Sequence, residues 1–347
     1  MTYLRRYFFG GAIGAWLLIL LFACQPARAA DTGEFNLQVS PSPLVSTVKP
    51  GASTALELKV HNSASASEDL KIEPRAFKID SKTQQLQLID DQAPDVASWI
   101  HFSASNFTIL PGQTYTEKIT LAVPKEAGFS YAFALVVSRV NPPPQTSGRA
   151  IKASIADFAL INVDRPGAVR ALELTRFISK QGLYEYLPAD FEIEFKNTGN
   201  TIVQPTGTVF IQRTANDITP IDTLDVNKGG GYILPGMSRT ITLSWDNGFP
   251  AHLKKQQPDG TTKDELNWDL GRASQVRFGQ YTAKLVAIYD DGHRDVPLES
   301  QLTFWVIPWV FLLVALVIIL IIGVGVWSVV RKVFNISKRF GHKKMKL

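Results

Sequence analysis

The groups best suited to chemistry in this sequence are few and scattered. Its five histidines, His61, His101, His252, His293 and His342, show none of the short spacings that converge imidazoles on one metal ion. The single cysteine, Cys24, has no second thiol to pair with, and no nucleophile elbow is present. "GGG" at Gly229 to Gly231 follows Lys228 but leads into a strand rather than a helix, so it reads as a flexible loop and not as a phosphate cradle. "YDDGHRD" gathers Asp290, Asp291 and Asp295, a carboxylate cluster that suggests calcium, yet it lacks EF-hand spacing, and Asp291-Gly292 between two strands reads as a hairpin turn. The expectation is a protein that is not an enzyme and needs no cofactor or metal. Trp99, Trp245 and Trp268 offer flat faces for stacking on a sugar ring, with core packing as the competing reading. In "SWIHFSASNF", strand alternation puts Trp99 and His101 on one face and Phe102 on the other. Trp99 and His101 are therefore the expected ligand-binding pair, one stacking and the other donating a hydrogen bond.

What must position these residues is set by the ends of the chain. The first thirty residues carry Arg5 and Arg6, an apolar run from Tyr7 to Phe22 and a small-residue "ARA" at Ala27 to Ala29, the form of a cleavable secretory signal (1–30). Arg5-Arg6 loosely fits a twin-arginine signal, and "LFAC" at Leu21 to Cys24 is a poor lipid-attachment box because Phe22 is bulky. Near the other end, residues 305–330 read as a transmembrane helix with the 22-residue core Trp309 to Val330, at 1.5 Å per residue roughly 33 Å long. Trp305, Trp309 and Trp327 sit where aromatic side chains meet the membrane interface, followed by Arg331 and Lys332. The tail, 331–347, has seven Lys/Arg and no acid, which marks the cytoplasmic side and suits anionic lipid. Removing these seven cations and the leader's three from the 36 leaves 26 against 31 acids, a net of −5 for the segment between. The overall basicity is therefore no sign of nucleic-acid binding. The expected arrangement is a single-pass plasma-membrane protein with its ectodomain outside the cell.

Between the ends the chain is written in short strands. "STALELKVHN", "YTEKITLAV", "IADFALINVD", "FEIEFKNTGN" and "QYTAKLVAIY" alternate or run apolar, separated by Pro-Gly, Asn-Ser and Asp-Ser punctuation. "ILPGQTYTEKITL" (Ile109 to Leu121) returns 124 residues later as "ILPGMSRTITLSW" (Ile233 to Trp245). Each copy follows a strand ending in Asn, at Asn62 and Asn197, and precedes a Gly-aromatic strand, from Gly128 and Gly279. The fold class is all-β: two tandem immunoglobulin-like sandwiches, 31–165 and 166–304, plus one carboxy-terminal transmembrane helix.

This order of parts resembles the WxL-interacting surface proteins of Gram-positive bacteria. The residues that carry the likeness are "FNLQVSPSP" opening the first domain, "KPGASTALELKVHN", "SWIHFSASNFTILPGQTYTEKITLAVP", "FKNTGNTIVQPTG" and "GQYTAKL". The chain departs from that family at "AFKIDSKTQQLQL", where an Asn-Gly turn is missing, and at "FSYAF" after Gly128, where a glycine pair is usual. The resemblance implies a membrane-anchored binding or adhesion protein whose first domain takes peptidoglycan and whose second takes a host or matrix protein. The alternatives are an assembly factor like the pilus chaperones, which also pair two sandwiches, with an exposed edge of this chain as the place for a partner's strand, and a structural stalk or receptor component.

Overall fold

A computed structural model of the protein describes residues 35–80, 85–89, 94–141, 153–214, 217–257 and 261–343. The expected leader 1–30, with Arg5, Arg6 and Cys24, and the last tail residues 344–347 lie outside the described residues. Strands numbered in chain order build two units. The first contains β1 (Leu37–Ser40), β2 (Leu44–Val48), β3 (Ser53–Asn62), β4 (Glu68–Arg75), β5 (Phe77–Ile79), β6 (Leu86–Leu88), β7 (Ile100–Phe102), β8 (Asn106–Ile109), β9 (Thr114–Ala122), β10 (Ser130–Arg139) and β11 (Ser154–Val163). The second contains β12 (Leu172–Ser179), β13 (Leu183–Tyr184), β14 (Ala189–Asn197), β15 (Thr206–Gln212), β16 (Asp222–Val226), β17 (Ser238–Trp245), β18 (Ala251–Gln256), β19 (Thr262–Asn267), β20 (Gly279–Asp290) and β21 (Asp295–Val306).

The two units share one topology. In the first, sheet β1-β3-β9-β7 faces sheet β2-β11-β10-β4-β8; in the second, β12-β14-β17 faces β13-β21-β20-β15-β16. In each, a short strand pairs parallel with the last strand, β2 with β11 and β13 with β21, while the neighbouring pairs are antiparallel. Alternate residues point inward, as in β3, where Leu56, Leu58 and Val60 are buried between exposed neighbours. The inward residues form two separate cores, one around Leu58, Ile119 and Phe133, the other around Phe191, Trp245, Tyr281 and Phe304.

The repeated phrase has a common structural cause. Asn62 and Asn197 are fully buried at the ends of equivalent strands. Asn62 donates to the carbonyls of Ala66 and Ile109 and accepts from the Ala64 N–H. Asn197 donates to the carbonyls of Thr201 and Ile233 and accepts from the Gly199 N–H. Ile109 and Ile233 open the two copies of "ILPG", so one asparagine clamps each turn to the strand before it. The glycines of those turns adopt φ +70° at Gly112 and φ +74° at Gly236, a region open to glycine and costly for other residues, and each donates its N–H back to the clamping asparagine's carbonyl. The aromatic strands match as well: Tyr131 accepts from the Gly128 N–H and Tyr281 from the Phe278 N–H.

The units are joined directly. Asn200 holds the connecting segment by accepting from the Val169 N–H and donating to the Gly167 carbonyl. Asn162 of β11 and Ile202 of the second unit exchange two hydrogen bonds, and Ser130 donates to the Asn200 carbonyl. At the far end β21 runs to Val306, so Trp305 belongs to the last strand and not to a helix beginning at residue 305. Helix α1 (Trp309–Lys343) starts after Pro308, whose carbonyl accepts from the Leu312 N–H. It continues past Val330 into the stretch expected as tail. Its segment Trp309–Lys332 has mean hydropathy 3.2 and none of its apolar stretch is buried in the protein, so it is long and apolar enough to cross a membrane. Trp309, Trp327, Arg331 and Lys332 are all exposed on it.

Candidate partner-binding cleft between the sandwiches

Strand β11 explains where the molecule has a concave apolar surface. Its odd residues Ala159, Ile161 and Val163 enter the first core, and the even residues Phe158, Leu160 and Asn162 lie on its other face. Of these, Asn162 makes the contact to Ile202, while Phe158 and Leu160 line a cleft of about 230 Å³ between the units. The β5–β6 hairpin closes one side with Phe77, Ile79 and Leu86, and Phe77 meets Phe158 edge-to-face at 5.1 Å. The opposite wall comes from Gly229 to Leu234 and from Met237 to Arg239 at the start of β17.

The triple-glycine loop read as flexible is tied down in this wall. Asn227, at φ +57°, donates to the carbonyls of Pro205 and Gly231 and accepts from the Gly231 N–H. A Cβ on Gly231 would lie 2.2 Å from the Arg239 guanidinium, so only glycine lets that cation lie flat on the loop. The cleft is thus lined mainly by apolar side chains, with the Arg239 guanidinium among its walls.

The residues expected from sequence are not brought together there. Trp99 belongs to a 3₁₀ turn (Ala97–Trp99) preceding β7, so strand alternation does not govern it. It packs half-buried on the first core, edge-to-face with Tyr131 at 4.7 Å. His101 is exposed, and its Nδ1 lies 3.2 Å from the Trp99 carbonyl. Trp245 is wholly buried, and Trp268 is half exposed against Phe249. Asp290 pairs with Arg170 and accepts from the Gly292 N–H, and Asp291 accepts from the N–H groups of His293 and Arg294. Those carboxylates close the β20–β21 turn. No group of three or more metal-ligating side chains occurs among the described residues. Sequence reasoning missed Phe158 and Leu160, although "DFALINV" is apolar on both faces of a strand, the sign of a strand covered on both sides.

Asp157 is the electrostatic anomaly. Its position on β11 turns it toward the first core opposite Leu135, and it is 0% exposed. Neither carboxylate oxygen has a hydrogen bond of good geometry. Burial pushes its pKa up, against weaker lowering by the Ser42 hydroxyl and the Phe158 N–H. With the folded value above the unfolded one, the native state holds the proton more tightly, so stability falls as pH rises between the two values. Asp157→Asn is therefore expected to raise first-sandwich stability at neutral pH by on the order of 1–3 kcal/mol. The gain should vanish well below pH 4, where both states are protonated. Urea titrations of variant and parent across pH test this, and a pH-independent difference would refute it.

No protein-family model and no curated protein matches the chain. Among solved structures it is similar to the class 5 fimbriae chaperone CfaA, at 15% identity over 79% of this chain and 100% of that one, TM-score 0.34. It is also similar to the CsuC–CsuE chaperone–tip adhesion subunit complex of Acinetobacter baumannii, at 12% identity over 76% and 97%, TM-score 0.35. The Escherichia coli chaperone DraB matches at 12% identity over 77% and 98%, TM-score 0.34. At these scores the likeness carries no functional argument; the chain is an all-β protein of two immunoglobulin-like sandwiches followed by one apolar helix, on the strength of its own strand order.

Proposed function

We propose that this chain is a membrane-anchored, non-catalytic binding protein of a bacterial cell surface, held by α1 with residues 31–304 outside, in the manner of the WxL-interacting proteins it resembles. Of the two ligand classes expected, wall polymer or protein, the geometry favours a protein. The observation that carries this is the apolar cleft between the sandwiches, floored by Phe158 and Leu160 and rimmed by the exposed Leu86 and Met237. A photo-crosslinking residue in place of Tyr232, on the full chain in its native membrane, should capture a discrete partner. Leu86→Arg with Met237→Arg should abolish capture without shifting the melting temperature, since both side chains are already exposed. Undiminished capture by the folded double variant would overturn the reading.

An assembly role like that of the pilus chaperones has one observation in its favour. Strand β17 pairs with β14 on one side only, and among the described residues no backbone hydrogen bond engages its other side, although β16 runs nearby. Unpaired N–H and C=O groups on an edge are a template for an added strand. Hydrogen exchange on the captured complex separates the readings: protection along Ser238–Trp245 supports strand addition, and protection confined to the cleft walls rejects it.

A further inference from the structure

We infer that the end of the second sandwich from which α1 departs is itself a membrane-contacting surface, seated in the headgroup region of the bilayer that holds α1. The inference rests on the reading of α1 as a span and concerns a part of the molecule far from the cleft.

Only Ile307 and Pro308 separate β21 from α1. At 3.8 Å between successive Cα atoms, the end of the sandwich is held within roughly 10 Å of the start of the span. Hydrogen bonds then bring three more segments to that end. Leu183 pairs with Trp305, and Gly279 pairs with Val306, which sets Phe278 beside them. Arg213 donates to the Phe278 carbonyl, so the β15–β16 loop with Ile218 hangs at the same end. The long insertion between β17 and β20 is fastened there too: the Phe249 N–H donates to the Gln275 carbonyl, the Arg277 Nε to the Asn247 carbonyl, and the His252 N–H to the Leu187 carbonyl.

These segments carry apolar side chains that the protein leaves uncovered. Ile218 is 97% exposed and Leu270 77% exposed, while Leu183, Trp268, Phe278 and Trp305 are each about half exposed. A soluble surface scatters such residues singly, and a contiguous patch marks an interaction surface. Here they sit on four separate segments that hydrogen bonds hold to the end of the sandwich from which α1 departs. Indole rings belong at the membrane interface, and apolar groups resting there enter about 5–10 Å into the headgroup boundary. The acids of this end fix the depth. The Asp217 carboxylate accepts from Arg213 N–H, Thr214 N–H and the Thr214 hydroxyl, and those bonds hold its pKa down, so it stays charged. Asp269 accepts from the Gly271 N–H. A surface that carries the charged Asp217 beside Ile218 and the locally bonded Asp269 beside Leu270 rests among headgroups and goes no deeper.

The test uses the full chain with Cys24→Ser, reconstituted in nanodiscs of zwitterionic and anionic phosphatidyl lipids, with single spin labels introduced by Ile218→Cys, Leu270→Cys, Val169→Cys or Ile318→Cys. Accessibility to oxygen relative to a water-soluble nickel chelate reports depth. Val169, exposed beside the first sandwich, is the aqueous reference, and Ile318 in α1 is the bilayer reference. The inference expects labels at 218 and 270 to show a several-fold higher oxygen-to-nickel ratio than the label at 169. If the label at 318 is in lipid and those at 218 and 270 match 169, this inference falls while the anchor stands. If the label at 318 itself reads aqueous, the anchor and the inference fall together.

Discussion

Trp245→Ala should cost the second sandwich roughly 3–5 kcal/mol, the usual range for truncating a fully buried large aromatic side chain. Trp245 is 0% exposed. Its ring meets Tyr281 edge-to-face at 5.1 Å and Phe304 at 5.9 Å, so its removal opens a void between rings from both central strands of the facing sheet. Its Nε1 donates to Asp222 at 3.0 Å, which ties β17 to β16 across the sandwich. The Arg277 guanidinium lies 5.6 Å over the ring, so the base of the insertion between β17 and β20 should loosen as well. Trp99→Ala should cost less, because only one side of Trp99 packs on the first core and the other is open. Denaturant unfolding of the two-sandwich segment, followed by hydrogen exchange resolved to each sandwich, checks both. Loss confined to the second sandwich for Trp245→Ala is the expected pattern; equal costs for the two tryptophans would mean their packing has been misjudged.

The contrast between these tryptophans marks what the sequence could tell. Periodicity of two and Pro-Gly punctuation are local signals, so the strands, the two units and the repeated turn were legible. The apolar helix was legible for the same reason. Asn62 and Asn197 were visible as strand ends, but their role required knowing that the chain returns 47 and 36 residues later to present the Ile109 and Ile233 carbonyls. The apolar core from Trp309 was legible, but the outer bound of the helix at 305 was not, because Trp305 and Val306 suit a strand and a helix equally and pairing with Leu183 and Gly279 decides. Alternation failed at Trp99 because a single 3₁₀ turn breaks the period of two just before β7. The cleft was illegible for a broader reason. Its walls join residues from Ser42 to Arg239, and no local pattern reports which outward face of one sandwich will meet the other.

Charge pairing across strands was equally hidden, and it gives the other large expected effect. Glu68 and Arg139 lie 71 residues apart in sequence, on the neighbouring strands β4 and β10. The Glu68 side chain is 4% exposed and that of Arg139 11% exposed. The Arg139 Nε donates to one carboxylate oxygen at 2.6 Å and Nη2 donates to the other, the bidentate geometry that arginine's planar fork allows. The guanidinium also lies 5.1 Å over the Phe35 ring, fastening the first described residue to the sandwich. Hydrogen bonding to Glu68 raises the pKa of Arg139 further above its already high value, so the cation is present at every accessible pH. Arg139→Ala should therefore cost the first sandwich about 3–5 kcal/mol, because it strands a carboxylate that water cannot reach. Arg139→Lys should recover only part, since an ammonium cannot serve both oxygens from one plane. The pair Arg139→Met with Glu68→Leu should restore most of the loss, since removing both charges also removes the desolvation they incur. Urea denaturation of the parent and these three variants tests the comparison, and adding Arg139→Met and Glu68→Leu alone closes a double-mutant cycle. If the double variant is as unstable as Arg139→Ala, the loss comes from packing of the arginine stem and not from an abandoned charge, and the ion pair is not what holds β4 to β10.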